Sequence, residues 1–248
     1  MIFLLRLVAV VALGLLICIF GILFCLFNPR NPTNVARFAH IFGVVLTPLF
    51  GIKVITRQSK AVKNLGSSVY IANHQNNFDV LAAGDVVQYK TVTVGKKSLA
   101  WIPFFGQLYY LTGNILLDRD NKSKARDTLS QIVDIMNKKD ISIWMFPEGT
   151  RSRGRGLLPF KTGAFRTAIA AKVPIIPICI SDTTKIKLNR WNNGYIIVEM
   201  MDPIETKELT KEDVKGLMDH CYQIMADKIQ QLNDEVKQLN QKKFKDNI

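Results

Sequence analysis

Among the side chains able to move a proton near neutral pH, the pair spaced for joint action is His74 and Asp79 in "NHQNNFD". The run before it, "SVYIAN", reads as a buried strand, and Asn76 or Asn77 is placed to cap a helix beginning near Phe78. His74 therefore falls in a strand-to-helix loop, where ligand and catalytic groups of α/β sheets collect. From the first turn of that helix the Asp79 carboxylate can accept a hydrogen bond from Nδ1 of His74. That fixes the tautomer, leaves Nε2 as a base and stabilises the imidazolium once formed. The same spacing also fits a loop histidine and a helix-N-terminal aspartate that only stabilise structure. No nucleophile accompanies the pair: the chain has no GxSxG elbow, and none of its four cysteines neighbours His74 in sequence. A metal site is not expected, because the other histidines, His40 and His220, lie in an apolar segment and on a distant helix.

The second cluster is "MFPEGTRSRGRGLLPFKTGAF", residues 145 to 165. An apolar strand ends in Pro147. Gly149, Gly154 and Gly156 then loosen the backbone, while Arg151, Arg153, Arg155 and Lys161 supply positive charge. Small loop residues let backbone N–H groups approach an anion, and arginine grips phosphate bidentately. The chemical type is a phosphate pocket, although neither a Walker loop nor GxGxxG is present to indicate a nucleotide. A basic surface loop facing anionic lipid is the competing reading. A buried Glu148 amid these charges is expected to pair with Arg151 or another local cation, since an unpaired interior carboxylate is costly. Lys96 in "VGKKSL" and Arg119 in "NILLDRD" each follow a strand end, although taken singly such a residue is more often a solvated charge than a ligand.

These residues need a scaffold, and after Ile52 strand-like runs alternate with helical ones. "SVYIAN" precedes the helical "NFDVLAAGDVV", and "TVTVGKK" and "NILLDR" follow. A helix spans about Lys122 to Lys139, then come "ISIWMF", a helix from Gly163 to Lys172, "PIIPICI" and "YIIVEM". The pattern predicts an α/β fold with a central mixed or parallel sheet flanked by helices. A capping box at Thr210 and Asp213 opens one long C-terminal amphipathic helix through Leu239 that covers the sheet.

Ahead of this domain the chain is apolar. Leu7 to Phe27 carries no charge and as a helix reaches about 31 Å, enough to cross a hydrocarbon core. Bulky Leu26 and Phe27 stand where a signal peptide would have a small-residue cleavage site. Phe38 to Ile52, interrupted by Pro48, is too short to span comfortably and reads as a re-entrant or interfacial helix. With Pro29 and Pro32 between them, the two segments predict a membrane-embedded helical hairpin over residues 1–52, anchored in one leaflet, with a spanning first helix as the rival. Residues 53–248 form the α/β domain.

Charge follows the same division. Of 33 Lys and Arg and 20 Asp and Glu, residues 1 to 78 hold seven basic and no acidic residues. The basic flanks Arg30, Arg37, Lys53, Arg57, Lys60 and Lys63 place the soluble domain on the cytoplasmic face. Cys18, Cys25, Cys179 and Cys221 show no framework spacing and read as buried small hydrophobes in a reducing compartment. Nucleic-acid binding is disfavoured, because the basic charge accompanies a membrane anchor and no recognition module is present.

Taken together, "NHQNNFD", "GNILLDR", "FPEGTRS" and "VPIIPICI" resemble, in order, the four boxes of the HxxxxD glycerolipid acyltransferases. The likeness covers nearly the whole chain and is nearest the bacterial lysophosphatidic acid acyltransferases. Leu116 departs from the pattern where other members often carry an aromatic residue, which leaves acyl-chain preference open. The resemblance implies transfer of a fatty acyl group from acyl carrier protein or coenzyme A to the sn-2 hydroxyl of lysophosphatidic acid, giving phosphatidic acid. It implies no cofactor or metal, and a place at the bacterial inner membrane beside anionic lipid. His74 and Asp79 would be catalytic, Arg151 with Lys96 would hold the substrate phosphate, and Glu148 and Gly149 would belong to the glycerol-phosphate site. Arg119 would be a weaker member of that group. Backbone N–H groups near Glu148, Gly149 and Thr150 are candidate donors to the tetrahedral oxyanion. The alternatives are glycerol-3-phosphate or another lysophospholipid as acceptor, or a non-catalytic membrane protein that binds anionic lipid.

Overall fold

The computed structural model describes residues 2–63, 65–117 and 125–245. Among them, seven strands form one sheet in the order β1-β7-β6-β2-β5-β3-β4. These are β1 (Ile52–Gln58), β2 (Val69–Ala72), β3 (Thr91–Lys96), β4 (Ile115–Leu117), β5 (Ser142–Met145), β6 (Ile175–Ile180) and β7 (Gly194–Met200). Strands β6, β2, β5, β3 and β4 run parallel, and β7 reverses against β6 while pairing parallel with β1. The sheet is thus mixed. β2 lies between β6 and β5, so the loop following it is reached from both sides.

All four residues of β2 and all six of β6 are buried, as strands covered on both faces must be. Their side chains alternate with period two. Val69, Ile71, Ile175 and Cys179 face a core completed by Ile132 and Met136 of α5 (Ala125–Lys139), Phe165 of α6 (Gly163–Ala171) and Met225 of α7 (Val214–Lys245). Tyr70, Ala72, Ile176, Ile178 and Ile180 face the opposite layer, with Leu46 of α2 (Thr33–Leu46) and Ala82 of α3 (Phe78–Ala82). Fully burying one such aliphatic side chain contributes about 1.5–3 kcal/mol, so each layer stabilises the fold by many small increments.

Several boundaries differ from the sequence expectations. The second apolar segment is helical from Thr33 and not Phe38, because the Asn31 side chain accepts the Thr33 N–H at 3.0 Å and starts the helix in polar sequence. β1 lies in a stretch expected only as a basic flank, and there Arg57 pairs with Glu235 of α7 and with Glu199 at 3.6 Å. The helix after His74 is short, and residues 83–86 continue it as a 3-10 turn. At the C-terminus the Asp213 carboxylate accepts the Thr210 N–H at 2.8 Å, and α7 continues to Lys245. Arg119 lies outside the described residues, as does the expected start of α5 at Lys122.

α1 (Ile2–Leu26) packs on α2 and on α4 (Phe105–Leu111) while leaving Leu4, Val8 and Leu16 exposed. Near its start, buried Arg6 donates to the carbonyls of Leu188 and Trp191, each at 2.9 Å, and to that of Arg190. Near its end, Gly21 sits against Leu108 and Phe38, and Cys25 Sγ accepts the Asn34 amide at 3.5 Å.

Candidate active site

His74 emerges just past β2, and its loop is tied to both neighbouring strands. On the β6 side, Asn73 Nδ2 donates to the Ile180 carbonyl at 2.9 Å while its Oδ1 accepts the Ile180 N–H at 2.8 Å. The side chain thereby continues the β2–β6 ladder one rung beyond the strand. Gln75 repeats the device, donating to Ser181 O at 3.0 Å and accepting the Thr183 N–H at 3.2 Å. On the β5 side, the Ser152 N–H donates to the His74 carbonyl at 2.7 Å and Arg153 N–H to Gln75 O at 3.2 Å.

Asp79 is fully buried and collects donors. Its Oδ2 lies 2.9 Å from His74 Nδ1 and accepts the backbone N–H of Asn76 at 2.7 Å and that of Gln75. Its Oδ1 accepts the Thr183 hydroxyl at 2.7 Å. A carboxylate receiving this many donors is held in one orientation, and with Oδ2 facing Nδ1 the neutral imidazole carries its hydrogen on Nδ1 and keeps its lone pair on Nε2. Among the described residues no group hydrogen-bonds Nε2. The imidazole stacks on Phe146, with ring centroids 4.1 Å apart and planes 18° from parallel. The ring is thus fixed on one face by an aromatic and on one edge by a buried acid, and His74 retains 13% side-chain exposure.

Glu148 departs from the sequence expectation. Buried to 3% exposure, it forms no ion pair with Arg151 or with another cation among the described residues. Oε1 accepts the His74 backbone N–H at 2.6 Å and Oε2 the Leu158 N–H at 2.9 Å. Two backbone donors satisfy the carboxylate where a cation was expected, so Glu148 braces the His74 loop against the arginine loop. Burial pushes its carboxyl up from the ordinary range, the two amides pull it part of the way back, and nearby Asp79 adds a smaller upward push.

The arginine loop starts as a β-turn, with Pro147 at its second position and the Gly149 N–H donating to Phe146 O at 3.0 Å. Gly149 has φ of +69°, and a Cβ there would come within 2.7 Å of the Lys161 ammonium. The positive φ favours glycine here, whereas the lysine side chain could move aside. Since its N–H is engaged in the turn, Gly149 is not an oxyanion donor. Glu148 and Thr150 retain that candidacy. Gly149, Thr150 and Arg151 are exposed beside the histidine, one residue from the Ser152–His74 bond. Arg155 folds back instead, with Nε donating to Ser152 O at 2.8 Å, and steadies the loop from within. Lys96 is exposed at the C-terminal end of β3, two strands from β2. At about 4.8 Å per strand, it stands roughly 10 Å along the same sheet edge.

The structure thus gathers His74, Asp79, Lys96, Gly149, Thr150 and Arg151 at one edge, and Glu148 beneath them. Thr183, Phe146, Gln75 and Asn73 were missed by sequence reasoning. The signal for Thr183 was weak: a hydroxyl just past a strand end, 104 positions from the carboxylate it serves. At this edge a partly exposed imidazole stands on the same side of the sheet as cationic side chains, an arrangement able to activate a hydroxyl on an anionic molecule.

The acyltransferase family profile matches residues 53–181. The 1-acyl-sn-glycerol-3-phosphate acyltransferases of Salmonella typhimurium and Escherichia coli K12 are each 57% identical over 237 residues, covering 95% of this chain and 96% of theirs. That of Haemophilus influenzae is 51% identical over 234 residues, with 94% and 97% coverage. The crystal structure of the 1-acyl-sn-glycerophosphate (LPA) acyltransferase PlsC from Thermotoga maritima superposes with a TM-score of 0.73 at 21% identity, over 94% of this chain and 98% of that one. The two share a fold.

Proposed function

Because the chain belongs to the acyltransferase family, we propose that it is an enzyme that acylates the sn-2 hydroxyl of lysophosphatidic acid and makes phosphatidic acid, with His74 as general base. The observation that carries the mechanism is the His74 Nδ1 to Asp79 Oδ2 contact at 2.9 Å, which leaves Nε2 directed away from its buried partner. The acceptor hydroxyl gives its proton to Nε2 as its oxygen forms a bond to the thioester carbonyl carbon. The tetrahedral oxyanion then collapses, the C–S bond breaks, and the imidazolium returns the proton to the departing thiolate. Asp79 stabilises the imidazolium between those steps. General-base help of this kind contributes about 10² to 10⁴ in rate. The acyl donor is a thioester of acyl carrier protein or coenzyme A.

Arg151, with Lys96, holds the phosphate of the acceptor, and Glu148 keeps the two loops at fixed separation from beneath. The N-terminal helices associate the enzyme with membrane, and the finer reading is an in-plane anchor at the cytoplasmic face of the inner membrane. The supporting geometry is the double attachment of α1. From Arg6 to Gly21 the helix covers about 22 Å. Near one end it is fastened to the 188–191 loop and near the other to α4 and α2. A helix crossing a hydrocarbon core would carry its far end about 30 Å from a cytoplasmic domain. Lysolipid then reaches His74 without leaving the leaflet.

The deciding experiment supplies purified protein in vesicles with one acyl-coenzyme A and a panel of acceptors: lysophosphatidate, glycerol-3-phosphate and other lysophospholipids. Phosphatidic acid from lysophosphatidate is expected, and its loss in His74→Ala with membrane association retained. Preference for glycerol-3-phosphate would overturn the acceptor assignment, and full turnover by the alanine variant would overturn the base.

A further inference from the structure

Carboxylates are missing from a second stretch of the chain. Between Asp85 and Asp118 the sequence has three lysines and no acidic residue. Of the two carboxylates among the first 117 residues, Asp79 is buried in the site and Asp85 lies 2.7 Å from His40 Nδ1. The middle of this second stretch, "SLAWIPFFG", displays apolar side chains outward. Trp101 is 82% exposed, and Ile102 and Phe104 are each 44% exposed.

This loop is built to hold that display. Ile102 N–H donates to Leu99 O at 3.2 Å, Gly106 N–H to Ile102 O at 2.7 Å, and Phe105 N–H to Pro103 O at 2.7 Å. The last closes a γ-turn in which Phe104 has φ of +61° and ψ of −47°, a region that bulky residues rarely occupy. Gly106 permits the close return of the chain, since a Cβ there would lie 2.3 Å from the Ala100 carbonyl oxygen. Such a loop cannot hide its aromatics by simple collapse, and an indole and a phenyl ring held in water are unfavourable unless something covers them.

Position indicates the cover. The loop leads directly into α4, which packs against α1, a helix that itself leaves Leu4, Val8 and Leu16 exposed. At the other end of α4, exposed Tyr110 receives a hydrogen bond at 3.0 Å from Arg30, whose guanidinium lies 4.7 Å over the ring. Lys97, also exposed, flanks the loop on its other side. Aromatic rings with basic neighbours and no acid are the composition of a membrane interface facing anionic headgroups. We propose that residues 99–104 form a second membrane-insertion element, which enters the leaflet beside α1 with Trp101, Ile102 and Phe104 among the upper acyl segments. Two separate insertions fix the tilt of the domain as well as its depth. The loop starts at Leu99, three residues after Lys96, so it sets the C-terminal edge of the sheet at headgroup level. This part rests on the acyltransferase reading, whereas insertion itself does not.

The test uses the full chain in vesicles of phosphatidylethanolamine and phosphatidylglycerol, with or without phosphatidylcholine brominated near the top of its acyl chains. The Trp101 signal is taken as the difference between wild-type emission and that of Trp101→Phe. Loss of most of that difference signal with brominated lipid, together with protection from aqueous iodide, is expected. Quenching by iodide and not by bromine would overturn the proposal. Protection from both would also overturn it and point to a protein cover. The readout needs no turnover, so it stands or falls separately from the catalytic assignment. As a second arm, Trp101→Ser with Phe104→Ser should raise the apparent KM for vesicle-borne lysophosphatidate while leaving turnover of a dispersed short-chain acceptor unchanged. An equal change for both acceptors would overturn the orientation role.

Discussion

Asp79→Asn separates the charge of Asp79 from its shape. An asparagine amide oxygen at the Oδ2 position still accepts from His74 Nδ1, Gln75 N and Asn76 N, and its NH2 meets a Thr183 hydroxyl free to turn and accept. The loop and the imidazole tautomer are retained, and only the negative charge is lost. A unit charge facing an imidazolium at 2.9 Å is worth about 6 kcal/mol at an effective dielectric constant near 20. With about half of the imidazolium charge developed in the transition state, about 3 kcal/mol is lost, close to 10²-fold in rate at about 1.4 kcal/mol per tenfold. Alanine would be less informative. It strands four donors in a buried site at about 1–3 kcal/mol each, which is comparable with the 5–15 kcal/mol stability of a whole domain. The assay is initial-rate thiol release from acyl-coenzyme A with saturating lysophosphatidate in vesicles, paired with a thermal unfolding scan. The expected result is kcat reduced by about 10² or more, with KM for lysophosphatidate and the unfolding midpoint little changed. An unchanged kcat at an unchanged midpoint would refute the reasoning and leave Asp79 a purely structural residue.

Arg151→Ala should raise KM for lysophosphatidate by about 10- to 100-fold, corresponding to the 1.5–3 kcal/mol of a charge-assisted hydrogen bond, with a smaller effect on kcat. Saturation kinetics unaltered for that acceptor would remove Arg151 from the phosphate site. Glu148→Gln should lower stability by about 1–3 kcal/mol, because one half of the amide turns an N–H toward a backbone donor, His74 N or Leu158 N. The same variant has a pH signature. Burial raises the folded-state pKa of Glu148 above 4.5, so the fold holds the proton more tightly than the unfolded chain does. The contribution is therefore fully present below 4.5 and is lost as pH rises through the raised value. Urea midpoints of the wild type should fall over that window more steeply than those of the variant, and parallel curves would contradict the assignment.

Much of the fold was legible because its causes are local. Alternating runs such as "SVYIAN" and "PIIPICI" specify strands buried on both faces, and the helical spacing from Val214 onward specifies α7. An acid-free, apolar N-terminus specifies two apolar helices. β1 was missed because "IKVITRQ" is an edge strand whose basic residues look like a membrane flank. Only the fold reveals that Arg57 answers Glu235 and Glu199. The site divides in the same way. His74 and Asp79 are five positions apart across one loop, so chain geometry brings them within reach, and their spacing could be read directly. Glu148 was expected to need a cation, since a sequence lists the charges of neighbours and not the directions of backbone amides. In the fold, the His74 and Leu158 N–H groups satisfy it. Thr183 reaches Asp79 only because β6 lies beside β2, which brings together loops more than 100 residues apart. Sequence alone determined which groups could do the chemistry, through residue type and short-range spacing. The order of the strands decided which groups hold them still, because hydrogen bonds between distant loops exist only once the sheet has placed those loops side by side.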